Sequence, residues 1–432
     1  MGLTNSQQEA ADKLITFLLN QEEELVLTSG AGYGKTHLIS WFVKEGYSRY
    51  LQICAENQIP VVFDSKPVVT ATTNKAAEVL SVKLGVPADT IHSYLGVVVK
   101  EDYETGTTYL KKGDSFSPKF REIVFIDECS MIDTQLYRLI KEALFNCKII
   151  YVGDKDQLAP VNSGMSPIFS STIPQIELTE NVRLKNHPEM LELAEQLKET
   201  VRTGIFKPIE LKEGVIELLD GKRMQSLVNE LFLTPSYDNK IVTYTNKRAL
   251  AYNDYIKYDL RHYESPFVVG EHYIVNSVLL VPSAYSKKKI FNTEDEIIIE
   301  EIGESTVYTD CLMPFEVIQL KARDYLGNLV TFYAPRDSAQ FLASLKCEAK
   351  YKKWKSYFRA KETIADLRLA DSSTVHKAQG STYKNIFVDL SDLSSCREAD
   401  TVARLLYVAC TRATDHVYLY GTLASKFGGV IG

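Results

Sequence analysis

An apolar run, Leu25-Val26-Leu27-Thr28, passes directly into Ser29-Gly30-Ala31-Gly32-Tyr33-Gly34-Lys35-Thr36, after which Leu38, Ile39, Trp41 and Phe42 follow a helical pattern. A strand, a glycine-rich turn and a helix start in that order belong to a layered α/β fold, with helices covering a parallel sheet. The turn is an anion cradle. Backbone N–H groups converge at the helix start, where the helix dipole favours negative charge. Lys35 can reach the terminal phosphates of a nucleoside triphosphate, and the Thr36 hydroxyl is placed to hold Mg²⁺. The usual spacing, G-x-x-x-x-G-K-[ST], expects glycine where this chain has Ser29, with a glycine one place later. Gly30, Gly32 and Gly34 still supply the backbone freedom such a loop needs.

The pattern recurs along the chain. Ser6-x-x-Glu9 is a capping-box signal ahead of Ala10, Ala11, Leu14, Ile15 and Leu18. Short apolar runs at 67–71, 123–126 and 149–152 are each followed by a turn or a helical pattern, as in a parallel sheet buried on both faces. A second set begins near Ile176, with a helix pattern over 190–197, a strand at 241–244 and a helix over 247–260. It resumes with strands at 373–375 and 386–389, a helix through 405–408 and a strand at 416–419. Two stretches interrupt this order. Residues 93–118 read as a β-hairpin with a Gly-containing turn, and 261–365 as a small all-β module. A charged, aromatic, helix-like stretch over 350–368 closes the module.

Composition excludes several classes. Of the 432 residues, 45% are hydrophobic and 24% charged, the balance of an ordinary soluble globular protein. No apolar run approaches the length of a membrane span and no basic-then-apolar leader opens the chain, so a cytoplasmic location is expected, the host cytoplasm if a phage encodes it. The seven cysteines are scattered and never spaced C-x-x-C, which argues against zinc and against a disulfide framework. A net charge of −7 argues against a basic nucleic-acid coater but leaves room for a strand gripped in one local groove.

Ile123-Val124-Phe125-Ile126 ends in Asp127-Glu128, two carboxylates about ninety residues after the phosphate loop. The first suits Mg²⁺, and the second can orient or deprotonate an attacking water. Next comes Gly153-Asp154-Lys155-Asp156-Gln157-Leu158-Ala159-Pro160-Val161, whose Gln157 amide can donate and accept near a γ-phosphate. With Asp127-Glu128-Cys129-Ser130-Met131, this segment resembles the RecD- and Dda-type branch of the superfamily 1 helicases, superfamily 1B.

Further segments match that family in order. Leu3-Thr4-x-x-Gln7 resembles its adenine-reading motif. Ala71-Thr72-Thr73-Asn74-Lys75 resembles a strand-contacting motif, with Thr72 where the family often has proline. Thr90-Ile91-His92-Ser93 resembles a second such motif, although His92 read by itself is an ordinary structural histidine. Leu178-Thr179-Glu180-Asn181-Val182-Arg183 resembles the motif whose arginine reaches the γ-phosphate. Residues 241–246, with Thr245 and Asn246, look like the second lobe's strand-contacting segment. Ser373-Thr374-Val375-His376-Lys377-Ala378-Gln379-Gly380 implies phosphate contacts from Thr374, His376 and Lys377, with Gln379 and Gly380 at the nucleotide. Leu406-Tyr407-Val408-Ala409-Cys410-Thr411-Arg412 implies a second arginine finger, Arg412.

The resemblance implies two RecA-like parallel-sheet lobes: 1–92 with 119–175, and 176–260 with 366–432. It further implies a duplex-splitting hairpin at 93–118 and an SH3-like module at 261–365. ATP and Mg²⁺ are the implied cofactors. Single-stranded and forked DNA are the implied partners, with a single-strand-binding protein or replication proteins beside them; a monomer with 5′→3′ polarity is expected. Tyr103 or Tyr109 could stack on the last base pair, or merely pack on the hairpin's scaffold. The aromatic tail of the module could touch DNA or form a solvated amphipathic helix. The alternatives are a strand translocase without useful unwinding, an ATPase subunit of a larger DNA-processing complex, and a small-molecule P-loop kinase. The kinase leaves 371–413 without a purpose.

Overall fold

The computed structural model describes residues 2–158, 165–282, 287–323 and 327–432; the expected Ala159, Pro160 and Val161 of the Gln157 segment lie outside the described residues. The apolar runs form two separate parallel sheets. The first has six strands in the spatial order Gln175–Glu177, Glu24–Thr28, Lys148–Gly153, Ile123–Asp127, Val68–Ala71 and Asp89–Thr90. The second has five, in the order Ile216–Leu219, Ala413–Tyr420, Tyr383–Asp389, Asn239–Thr243 and Ser372–Thr374.

Successive strand residues point to opposite faces, so a continuously apolar strand must be covered twice. Leu25, Leu27, Ile123, Phe125, Ile150 and Val152 pack into one layer of the first half. Their alternates Val26, Val124, Ile126, Ile149 and Tyr151 pack into the other. In the second sheet Ile241 and Phe387 face one cluster, while Val242 and Val388 face another.

Several expected boundaries move. Strand Gln175–Glu177 pairs with Glu24–Thr28, and Ile176 and Leu178 are buried with the first core, so the first half extends beyond 175. At the other end Leu367–Leu369 pairs antiparallel with His272–Val275 and belongs to the inserted module, so the second sheet resumes after 369 and not at 366. The helix expected over 247–260 is α-helical only across Asn246–Asp254 and continues as a π-helix, Tyr255–Leu260.

The hairpin is present as Val97–Glu101 paired antiparallel with Thr108–Lys112. The inserted module is not all β. After the antiparallel strand Leu329–Pro335 come two helices, Ser338–Lys350 and Trp354–Thr363, before the module's last strand, Leu367–Leu369. The second helix buries Phe358 and Ala360 while leaving Lys355 and Arg359 in solvent, the amphipathic alternative for this stretch.

Candidate nucleotide and strand cleft

In open parallel sheets, ligands bind beyond the carboxyl ends of the strands. Those ends carry the candidate residues here. The phosphate loop leaves strand Glu24–Thr28, Asp127 ends strand Ile123–Asp127, and the Gln157 segment follows strand Lys148–Gly153. Thr73 caps the helix after Val68–Ala71, and Thr374 ends Ser372–Thr374. A cleft of about 1510 Å³ runs between the two sheets. From the first half it is lined by Ala31, Gly32, Tyr33, Gly34, Lys35, Thr36, Thr73, Asp127, Glu128, Gln157 and Arg183. The second half contributes Thr245, Asn246, Thr374, His376, Lys377, Gln379, Gly380 and Arg412.

The loop backbone is set for an anion. Gly32 and Gly34 adopt φ of +87° and +80°, a region L side chains rarely occupy. A Cβ on Gly34 would lie 2.3 Å from Gln7 Nε2, and one on Gly32 would lie 2.8 Å from Arg183 Cβ, so glycine is required for space as well. Lys35 Nζ donates to Ser29 O at 2.8 Å and Gly30 O at 3.2 Å, resting on the loop it serves. Ser29 is buried and its hydroxyl donates to Gly30 O, so serine in the usual glycine position is accommodated.

Asp127 is deeply buried, and that burial, reinforced by neighbouring Glu128, raises its pKa against the opposing pull of Lys35. A carboxylate in that position gains from a cation. Thr36 and Asp127 share the cleft wall, a donor set that fits Mg²⁺, an ion that keeps several waters and uses few protein ligands. Glu128 sits at φ 54°, ψ 42°, a left-handed conformation unusual for a non-glycine residue. The Thr72 hydroxyl donates to Glu128 O at 3.0 Å and fixes that backbone. The threonine that replaces the family's proline is therefore part of the carboxylate's support. Across the cleft, a Cβ on Gly380 would lie 3.9 Å from Glu128 Oε1.

Among the described residues, the cations opposite pair with no carboxylate. Arg183 is pulled down to about 10 by burial and by Arg412, and its Nη1 is buried without a hydrogen-bond partner. Its N–H and that of Val182 both donate to Gly32 O, which ties Arg183 to the phosphate loop and not, as the resemblance implied, to the second half. Arg412 is held from behind: Nε donates to Val408 O at 3.2 Å and Nη1 to Ser381 O at 3.3 Å. Both amide atoms of half-buried Gln379 are themselves shielded and have no partner among the described residues. Two convergent guanidinium groups and unsatisfied buried amides describe a cavity shaped for a multiply charged anion.

Other expected residues fall elsewhere. Gln7 is buried against the back of the loop, its Oε1 accepting from Thr4 N–H at 3.0 Å and its Nε2 donating to Gly34 O at 3.4 Å; it does not line the cleft. Asn74, His92 and Ser93 are also outside the lining. His92 lies on the short helix Ile91–Leu95 with its pKa lowered by burial. Thr245 lines the cleft, but its hydroxyl already donates to Asp392 Oδ1 at 2.9 Å. Burial lowers the pKa of His376 and Lys377 alike, and Lys377 donates to Asn276 Oδ1 of the inserted module. At the hairpin tip, Gly106 has φ +74°, and a Cβ there would lie 2.5 Å from the Trp354 ring. Tyr103 and Tyr109 are both exposed, and Tyr103 also meets Phe358 of the inserted module edge-on with centroids 5.9 Å apart.

A family profile described as an AAA domain matches residues 2–215, and one described as a UvrD-like helicase C-terminal domain matches 369–420. The ATP-dependent DNA helicase dda of Enterobacteria phage T4 is 24% identical over 461 residues, an alignment covering 96% of this chain and 98% of that one. The chain belongs to the superfamily 1B helicases. The ATP-dependent RecD2 DNA helicase of Deinococcus radiodurans is 23% identical over 98% of this helicase, which spans 50% of that protein's length. Among solved structures, the Pif1 helicase from Bacteroides in complex with ADP-AlF3 and ssDNA superposes with a TM-score of 0.53 at 15% identity, covering 100% of this helicase and 95% of that chain. That likeness supports the RecA-like fold of the paired sheets.

Sequence reasoning missed three side chains that organise the cleft. Asp392 accepts from Tyr244 N–H and Thr245 N–H, both at 2.7 Å. Arg404 Nη1 donates to Lys155 O and Gln157 O, both at 2.8 Å. Tyr407 lay within a matched motif but had no assigned role. Only the last had a sequence signal; the others depend on contacts 148, 147, 249 and 247 residues apart.

Proposed function

We infer that this protein is an ATP-dependent DNA helicase that moves along single-stranded DNA and separates duplexes by alternating closure of its two sheet-bearing halves. The single observation that carries the reading is the shared cleft, lined at once by Lys35, Asp127 and Arg183 and by Thr374, His376 and Lys377. ATP is the substrate. Lys35 and the loop amides bind its phosphates, Glu128 orients and deprotonates the attacking water, and Gln157 senses the γ-phosphate. Arg183 and Arg412 meet charge that develops on the transferred group. Thr36 and Asp127 would hold Mg²⁺, which when bound neutralises phosphate charge.

Thr73, Asn74, His92 and Ser93 on one half and Thr245, Asn246, Thr374, His376 and Lys377 on the other are assigned to the DNA backbone. Such contacts carry no base information, so movement is independent of sequence. They also need little net positive charge, in keeping with −7 overall. Gln7 is assigned to the adenine end through its hold on the loop. Residues 93–118 are the separating pin, with Tyr103 or Tyr109, both exposed, meeting the last base pair. The lobes are assigned as 1–92 with 119–183, and 184–260 with 370–432, around the module at 261–369. The protein acts as a monomer in the cytoplasm, on forked DNA, alongside single-strand-binding or replication proteins. Polarity is 5′→3′, and strand separation on duplexes carrying only a 5′ or only a 3′ tail tests the assignment. Unwinding of the 5′-tailed duplex with ATP supports it. No unwinding of either duplex, with ATP hydrolysis intact, favours a translocase.

A further inference from the structure

Gln157 must present its amide in one direction. Its Nε2 donates to Asp154 Oδ2 at 3.2 Å, and an ionised carboxylate can only accept, so the Gln157 oxygen is turned away from it. That oxygen is buried and has no hydrogen-bond partner among the described residues. Asp154 is itself almost wholly buried; its Oδ1 accepts from Asp156 N–H at 3.0 Å. Its remaining donor comes from the other half of the molecule. Tyr407, on the helix Ala399–Cys410, donates its hydroxyl to Asp154 Oδ2 at 2.9 Å, and the Tyr407 hydroxyl oxygen accepts from the Ala31 N–H of the phosphate loop at 3.2 Å. A Cβ on Gly30 would lie 3.0 Å from this hydroxyl, so the loop is open where Tyr407 enters. One turn earlier, Arg404 clamps the carbonyls on either side of Asp156.

We infer that Tyr407 is a positioning residue for ATP hydrolysis, whose hydroxyl joins the phosphate loop to Asp154 and thereby keeps the Gln157 oxygen facing the cleft. The inference rests on the ATPase reading above and assigns the second half a role besides its arginine finger. Without the hydroxyl, Asp154 loses a donor while remaining buried. With one fewer donor holding it, the carboxylate can turn, and the Gln157 amide loses the fixed acceptor that orients it. Neighbouring groups do not replace the donor: Arg202 pairs with Asp156, Tyr33 donates to Glu195, and Arg404 is spent on main-chain carbonyls.

The test uses the full chain with saturating single-stranded DNA. Tyr407→Phe should lower kcat for ATP about 10- to 100-fold, the loss of one hydrogen bond to a charged group, with KM within about twofold. Adding Tyr407→Phe to Gln157→Ala should cost nothing further, because both remove one device. Asp154→Asn, nearly isosteric, approaches the same device from its other end and should likewise be insensitive to Tyr407→Phe. An unchanged kcat, a change confined to KM, or penalties that multiply in the double variants would each overturn the inference. Failure of the unsubstituted protein to hydrolyse ATP would instead remove the ATPase reading.

Discussion

Arg183 is a half-buried cation that meets no carboxylate among the described residues, and removing it should separate nucleotide recognition from folding. Its pKa is drawn down to about 10 from an ordinary 12.5 by burial and by Arg412, an electrostatic penalty of roughly 3 kcal/mol. An anion at Nη1 relieves that penalty and adds a charge-assisted hydrogen bond of about 1.5–3 kcal/mol. Arg183→Ala keeps the main-chain bond to Gly32 O, so the loop retains its tether. If the guanidinium meets the γ-phosphate, affinity for a non-hydrolysable ATP analogue should fall about 10- to 100-fold while ADP affinity stays within about twofold. The hydrolytic rate should fall by roughly 10³ or more, as for arginines that stabilise phosphoryl transfer. The nucleotide-free protein should melt no lower than the parent, because an unpaired, half-buried charge has gone. Fluorescent-nucleotide titration, single-turnover hydrolysis and thermal unfolding measure the three quantities. Equal losses of ADP and ATP-analogue affinity, or a large drop in melting temperature, would refute the reasoning.

Glu128→Gln should leave ATP binding close to normal and reduce turnover at least about 10²-fold, measured as a bound but unhydrolysed nucleotide; rapid turnover would move the general base elsewhere. Gly34→Ala combines a positive φ with a 2.3 Å approach to Gln7, so it should abolish nucleotide binding and cost more than the roughly 1 kcal/mol of an ordinary glycine replacement. Trp354→Ala removes the seat of the hairpin tip. DNA-stimulated hydrolysis should persist while unwinding falls at least about tenfold, since the remaining Tyr103–Phe358 contact contributes only about 0.5–1.5 kcal/mol beyond its area. Unchanged unwinding would show that the pin needs no support from the module.

The parallel sheets were legible because their evidence is local. Val124 and Phe125 are adjacent yet enter different cores, and an uninterrupted apolar strand ending in Asp127-Glu128 admits little else. The same locality explains the boundary errors. Nothing in Gln175-Ile176-Glu177 says which sheet edge it joins; pairing with Val26, Leu27 and Thr28 decides that across about 150 residues. Leu367–Leu369 was misplaced for the same reason, since its partner lies near residue 274. Where chemistry demands one side chain, as with Lys35 and Arg412, the expected residue does line the cleft. Single residues read poorly where a side chain serves another. The occupied hydroxyl of Thr245, the main-chain tether of Arg183 and the hydroxyl of Tyr407 have no counterpart in sequence spacing. Tyr103 and Tyr109 were indistinguishable until the tip of the hairpin was seen against Trp354 and Phe358.

With nucleotide and strand sharing one cleft, as proposed, any effect of one on the affinity of the other is reciprocal and equal. Equilibrium titrations close that cycle: single-stranded DNA against the protein alone and saturated with a non-hydrolysable ATP analogue, then the analogue against the protein with and without DNA. Equal coupling in both directions, at least about fivefold, is the predicted result. DNA affinity that does not change between the empty and the analogue-saturated protein would contradict the account.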